Sequence, residues 1–181
     1  MPCPRAVAIG ICAVGMVIPW EDGVIMNELT LAYIAGFLDG NGSIMLQIKP
    51  REDCRYGFRL YATIVLYQDS THEEDLQWMR DQLNVGYISR RNDGISECRF
   101  DGHERVATVL GKLRNYIRFK RRQVALMLEA LDKLKRVQTP RDFLEVCQLA
   151  DRLSETNYTS RRKYTAETVE KTFHEKGLLS P

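Results

Sequence analysis

From Asn27 onward the chain changes hydrophobic rhythm several times, and each change marks an element. In ELTLAYIAGFLD, residues 28–39, the apolar positions Leu31, Ile34, Ala35 and Leu38 recur at helical spacing, with Asn27 placed to cap the helix and GNG to end it. SIMLQIK, residues 43–49, then alternates, with Ile44, Leu46 and Ile48 on one face and Ser43, Met45, Gln47 and Lys49 on the other. After a loop at 50–57, FRLYATIVLY repeats the pattern: Phe58, Leu60, Ala62, Ile64 and Leu66 face one way, and Arg59, Tyr61, Thr63, Val65 and Tyr67 the other. A second helix is predicted from a capping box, Thr71 with Glu74, to about Leu83. VGYISRR and ISECRF form a predicted hairpin through Asn92-Asp93-Gly94.

Helices follow. Asp101 and Glu104 read as a capping box for VATVLGKLRNYI. KRRQVALMLEALDKLKR turns Val124, Met127, Leu131 and Leu134 inward, and Thr139-Pro140 opens a helix carrying Phe143, Leu144, Val146, Cys147 and Leu149. NYTSRRKYT is a polar loop, and a short last helix from Thr165 is stopped by Gly177. The order predicts one α+β domain over 27–181, a four-stranded antiparallel sheet with helices over one face. The other face holds Gln47, Lys49, Arg59, Tyr61, Thr63, Ser89 and Arg91, which is too polar for a core. Such a face is either solvated surface or a surface that reads a DNA groove.

Overall charge does not choose between these. There are 26 Lys and Arg against 24 Asp and Glu, for a formal net charge of +2. The distribution is less even, with six bases and no acid from Lys112 to Arg122, a run that a solvated face also explains. Five scattered cysteines without a CxxC argue for a reducing compartment, without a disulfide framework or a structural zinc site. Residues 6–19, AVAIGICAVGMVIP, are too short to span a bilayer comfortably, and residues 1–26 read as a flexible extension; no membrane partner is expected.

LAYIAGFLDGNGSI, residues 31–44, resembles the signature of the LAGLIDADG homing endonucleases. The segments GSIMLQIKP, VGYI, KRRQ, DFLEVCQLADRL and RRKYTAETV extend the likeness over 27–181, toward the single-motif enzymes encoded by green-algal chloroplast introns. The resemblance implies an αββαββα fold with a saddle-shaped sheet and extra C-terminal helices, and chloroplast localisation. It implies a homodimer on a long pseudo-palindromic double-stranded DNA site, and magnesium as cofactor, with calcium or manganese as substitutes in structures. One copy of the motif in the chain fits a two-fold assembly. The interface expected from the motif helix comprises Leu31, Ile34, Ala35, Gly36, Leu38 and Asp39. For Ala35 and Gly36, tight packing inside the monomer is the competing reading.

In the family, the last acid of the signature supplies the key metal-binding carboxylate, helped by the carbonyl just before it. The matching positions here are Asn41 and Gly40. Asparagine keeps the shape and one oxygen but loses the charge that holds magnesium. A deliberate aspartate-to-asparagine change that traps uncut DNA would explain it. So would drift to a non-cleaving DNA-binding protein or an RNA maturase, the only reading with an RNA partner. Asp39 reads as a structural turn acid. The resemblance gives Gln68 a role in ordering water and Lys120 one in stabilising charge near the scissile phosphate. It places base contacts at Gln47, Lys49, Arg51, Cys54, Arg59, Tyr61, Val65, Ser89, Arg91, Glu97 and Arg99, with Thr63 on the same face. Val65 suits a thymine methyl. Arg161, Arg162 and Lys163 fit contacts to backbone phosphates.

Overall fold

The computed structural model describes residues 27–157 and 162–179. The extension read at 1–26, and Arg161, lie outside the described residues. The chain runs α1 (Glu28–Asn41), β1 (Gly42–Pro50), β2 (Phe58–Asp69), a 3-10 turn (Ser70–His72), α2 (Glu73–Leu83), β3 (Tyr87–Arg90) and β4 (Ile95–Asp101). The helices α3 (His103–Leu113), α4 (Arg121–Lys135), α5 (Pro140–Glu155) and α6 (Ala166–Glu175) follow. The four strands form one antiparallel sheet in the order β1-β2-β4-β3, so the α+β fold expected from the patterning is what the chain adopts.

Period-two burial organises the sheet. Ile44, Ile64 and Phe100 are opposed across β1, β2 and β4 and have no exposed surface. Against this face α1, α2 and α3 pack on the two central strands, and α4 and α5 on β1. Directly opposed residues of an antiparallel ladder share a face. Ser43, Val65, Arg99 and Tyr87 therefore form one row across the opposite face, Tyr67, Glu97 and Ser89 the next, and Thr63 pairs with Asp101.

Three local expectations need correction. The first helix does not stop at Gly40 but continues through Asn41, with the Gly42 N–H donating to the Leu38 carbonyl. A Cβ on Gly42 would lie 2.4 Å from Leu38 Cδ1 and 2.8 Å from its carbonyl oxygen, so the helix can pass straight into β1 only with glycine there. The Thr71–Glu74 capping box does not form. Asp69 caps instead, accepting from the Thr71 N–H at 2.9 Å and the Thr71 hydroxyl at 2.6 Å, so that hydroxyl is used as a donor. Asp101 does not cap α3: it ends β4 with its carboxylate turned onto the sheet face, and Gly102 is the N-cap without a side-chain bond. The Thr139 cap forms as expected, reciprocated by Asp142 and followed by Pro140.

One buried acid clamps the hairpin. Glu73 at the start of α2 accepts from Arg90 Nε at 2.6 Å and Nη2 at 2.8 Å, from Ser96 Oγ at 2.7 Å and from Gln77 Nε2 at 3.1 Å. The Arg90 guanidinium, then Ser96, hold its carboxyl down to about 2.

Candidate nucleic-acid interface

The polar sheet face is built in two halves. On β1 and β2, Gln47, Lys49 and Arg59 are exposed around Tyr61. Lys49 Nζ lies 4.7 Å from the Tyr61 ring centroid and the Arg59 guanidinium 5.3 Å from it, while Arg51 Nη1 reaches the Tyr61 hydroxyl at 3.4 Å. Arg51 is also held by Asp53 through two bonds of 2.7 and 2.8 Å, and the hydrogen bonds from Arg51 lower the Asp53 carboxyl to about 2. Cys54 is half-buried in the turn between the strands, donating its N–H to the Arg51 carbonyl.

On β3 and β4 the charges alternate in a chain. Asp93 accepts from Arg91 at 2.6 Å, and Glu97 accepts from Arg91 at 3.5 Å and from Arg99 at 2.9 Å. Asp101 Oδ2 accepts from Arg99 Nε at 3.5 Å and from the Tyr87 hydroxyl at 2.5 Å, and its Oδ1 from the Thr63 hydroxyl at 2.7 Å. Burial pushes the Asp101 carboxyl up, but the Tyr87 and Thr63 hydroxyls and the Arg99 guanidinium outweigh it and lower its pKa. Tyr87 and Asp101 were not among the residues expected on this surface. The signal that could have found them is strand parity: they share rows with Arg99 and Thr63. Val65 does not offer a thymine-facing methyl here, because it is 0 % exposed in its row between Ser43 and Arg99. Ser89 opposes Glu97, which is itself buried beneath its two arginines.

At the C-terminal end of α1, Asp39 is committed. Its carboxylate accepts from the backbone N–H groups of Arg118 (2.6 Å), Phe119 (3.1 Å) and Lys120 (3.0 Å), joining the motif helix to the start of α4. Lys120 Nζ donates to the Asp39 carbonyl at 2.5 Å, and burial lowers the pKa of its ammonium against the pull of Asp39. Gly40, Lys120, Ser43, Arg122, Glu155 and Asn157 line a cleft beside this junction. Asn41 is exposed at the helix end but does not line the cleft, nor does Gln68. Gln68 opposes Ser96, on the parity of the helix-covered face, and its Oε1 accepts from the Asp69 N–H at 2.9 Å.

Within one chain, the described residues at this corner supply only part of a magnesium shell. Among the described residues no group of three or more His, Cys, Asp or Glu could hold a metal. Asp39 already accepts three backbone donors, and the Gly40 carbonyl and the Asn41 amide at the corner are neutral.

The expected interface on α1 also needs correction. Leu31, Ile34, Ala35, Leu38 and Asp39 are buried in the chain's own core, because the stripe at helical spacing is the one that packs on the sheet. Gly36 alone of the six is exposed. It belongs to the opposite stripe with Leu29, Ala32, Tyr33 and Gly40, where Leu29 is 75 % and Tyr33 56 % exposed. Tyr33 meets Trp78 of α2 edge-on at 5.7 Å, and Phe119, 87 % exposed, flanks the other end of the helix. A Cβ at Gly36 would meet nothing within 4 Å among the described residues, so no packing there requires glycine.

Of the two described basic residues in the 157–165 loop, Arg162 is exposed but engaged by an acid. It contacts Asp151 Oδ1 at 3.1 Å and the Asp151 carbonyl at 3.2 Å. Lys163 is exposed, 5.6 Å from the Tyr164 ring centroid.

A family model described as "LAGLIDADG endonuclease" matches residues 34–130. The DNA endonuclease I-CreI of Chlamydomonas reinhardtii is 32% identical over 144 residues, which covers 79% of this chain and 88% of the relative. The DNA endonuclease I-CvuI of Chlorella vulgaris is 32% identical over 143 residues, covering 79% and 89%. The crystal structure of I-CvuI in complex with its target in the presence of 2 mM Ca superposes with a TM-score of 0.80 and 31% identity, over 84% of this chain and 97% of that one. I-CvuI with the I-CreI target in 2 mM Mg, its DNA not cleaved, superposes equally well, with a TM-score of 0.80.

Proposed function

Because the chain belongs to the LAGLIDADG endonuclease family, we propose that it binds a long pseudo-palindromic double-stranded DNA site as a homodimer, with Asn41 leaving little or no metal-dependent cleavage. The observation that carries this reading is the polar sheet face. Its lysine and arginine side chains stand in rows opposite the helices, and strand register sets the spacing of those rows. Arginine and glutamine on such a face suit base edges, and the cations displace counterions from phosphates. The assembly rests on the exposed α1 stripe. Gly36 and Ala32 permit close approach of a second helix, and Tyr33, Trp78 and Phe119 extend the apolar surface around it. The likeness to the two algal relatives supports chloroplast localisation as part of this proposal.

For chemistry, a divalent metal bound between the subunits would activate water and offset charge on the leaving oxygen. This chain's own contribution is positional. Asp39 fixes the 118–120 backbone, and Lys120 is held beside Gly40 with its charge toward the cleft. What is missing is negative charge at position 41, twice over in a dimer.

The test is Asn41→Asp. A duplex selected from a randomised library by the protein as it stands is incubated with both forms, in magnesium and in calcium. The aspartate form is expected to make a magnesium-dependent double-strand break, with the native form binding the same duplex uncut. Equal cleavage by both would show that Asn41 is not the defect. Cleavage by neither, with binding retained, would favour a protein that binds without cutting, including the RNA maturase reading.

A further inference from the structure

We infer that Asp101 is a specificity-determining positioning residue: it orients Arg99, and with it the adjoining Arg91–Glu97 pair, for base reading. This rests on the DNA-reading function proposed above and names a residue that the family resemblance does not. The geometry is specific. One carboxylate receives donors from three strands: the Thr63 hydroxyl of β2 at 2.7 Å, the Tyr87 hydroxyl of β3 at 2.5 Å and Arg99 Nε of β4 at 3.5 Å. Arg99 then passes its Nη1 to Glu97 at 2.9 Å, and Glu97 holds Arg91 at 3.5 Å.

The local alternative, a helix cap, does not apply, because Asp101 makes no bond to the start of α3. Stability does not by itself account for the arrangement, since the partly buried Arg99–Asp101 pair, with side chains 29% and 34% exposed, gives up hydration for a contact of only 3.5 Å. An acid on a face meant for a polyanion also weakens non-specific attraction. What the carboxylate does provide is order. A free arginine loses considerable rotamer entropy on docking, and one already held through Nε and Nη1 loses less. The phenol and hydroxyl secure the carboxylate from the two neighbouring strands, so the position of Arg99 is tied to the sheet and not to a flexible side chain.

The experiment selects preferred sites from a randomised duplex library with the native protein and with Asp101→Ala, Asp101→Asn, Tyr87→Phe and Arg99→Ala variants. Thermal melting of each variant runs beside it. In Asp101→Ala, preference is expected to fall roughly tenfold at the base pairs flattened by Arg99→Ala, a size set by one well-placed arginine contact. Affinity for bulk duplex should hold or rise. Asparagine can still present its oxygen to Arg99 and Tyr87 and its NH2 to Thr63, so Asp101→Asn should recover part of the preference. Tyr87→Phe removes a single exposed donor and supplies the same readout if the alanine form does not fold; it should flatten the same base pairs to a lesser degree. Unchanged preference in the folded variants overturns the inference. So does a loss spread evenly over the site, which is what loosened structure would produce. Both outcomes leave DNA reading standing, whereas a native protein that enriches no sequence overturns the reading itself.

Discussion

The sheet face and the motif corner handle charge in opposite ways. On the sheet, arginines are held by acids that stand beside them on the same surface: Arg51 by Asp53, Arg91 by Asp93 and Glu97, and Arg99 by Glu97 and Asp101. At the corner, the one carboxylate of the motif accepts three backbone N–H groups, and an amide stands where the resemblance calls for an acid. The sheet face is thus a finished surface within one chain. The corner is a structural joint in which Asp39 and Lys120 are engaged within the chain and position 41 is neutral.

The strongest way to test the joint is Asp39→Ala. Three backbone donors would lose their acceptor at roughly 1 kcal/mol each, so a loss of about 3 kcal/mol is expected. Urea denaturation would show this as a lower midpoint at unchanged slope, and an unaltered midpoint would mean that Asp39 is not structural. Gly36→Leu addresses the proposed second copy. The isolated chain has room for the side chain, so its monomer fold should survive, while helix–helix approach should weaken by about 2 kcal/mol. Sedimentation across a concentration series reads the difference; an unchanged dimer would put the interface elsewhere.

Smaller effects separate parts of the basic surface. Arg59→Ala should cost about 1–2 kcal/mol of discrimination at particular base pairs. Lys163→Ala should weaken all sites alike and reduce the salt slope by about one. Titration against single-base target variants distinguishes them, and a uniform loss from Arg59→Ala would remove it from the base-reading set. The smallest effect concerns acid. Glu73 has its carboxyl lowered to about 2, first by Arg90, so its contribution to stability is full above the unfolded carboxyl range near 4.5. That contribution is lost as pH falls through that range toward 2. Glu73→Gln should flatten the acid limb of a stability–pH curve while leaving the slope above pH 5 unchanged. An acid limb as steep as the native one would show that the Arg90 clamp is not what titrates.

The sequence alone carried the architecture, because burial on a half-covered sheet imposes period two and a packed helix imposes its own stripe. Ile44, Ile64, Leu66, Leu31 and Leu38 were legible as core on that ground, and so was the polar face opposite. Asn41 was visible as a departure from the motif by inspection. Other features were decided only in three dimensions. Apolar spacing on α1 marks the side a helix buries, not what it buries it against, so the stripe expected at a dimer interface lies in the chain's own core, and Gly36, Tyr33 and Phe119 are left outside. Short polar side chains have several partners within reach in sequence. Asp101 could cap a helix two residues on or cross to Thr63 and Tyr87, 38 and 14 residues away, and tertiary register chose the second. Asp39 likewise meets backbone donors 79 to 81 residues further along, a meeting that no local pattern encodes because it exists only once α1 and the start of α4 have packed together.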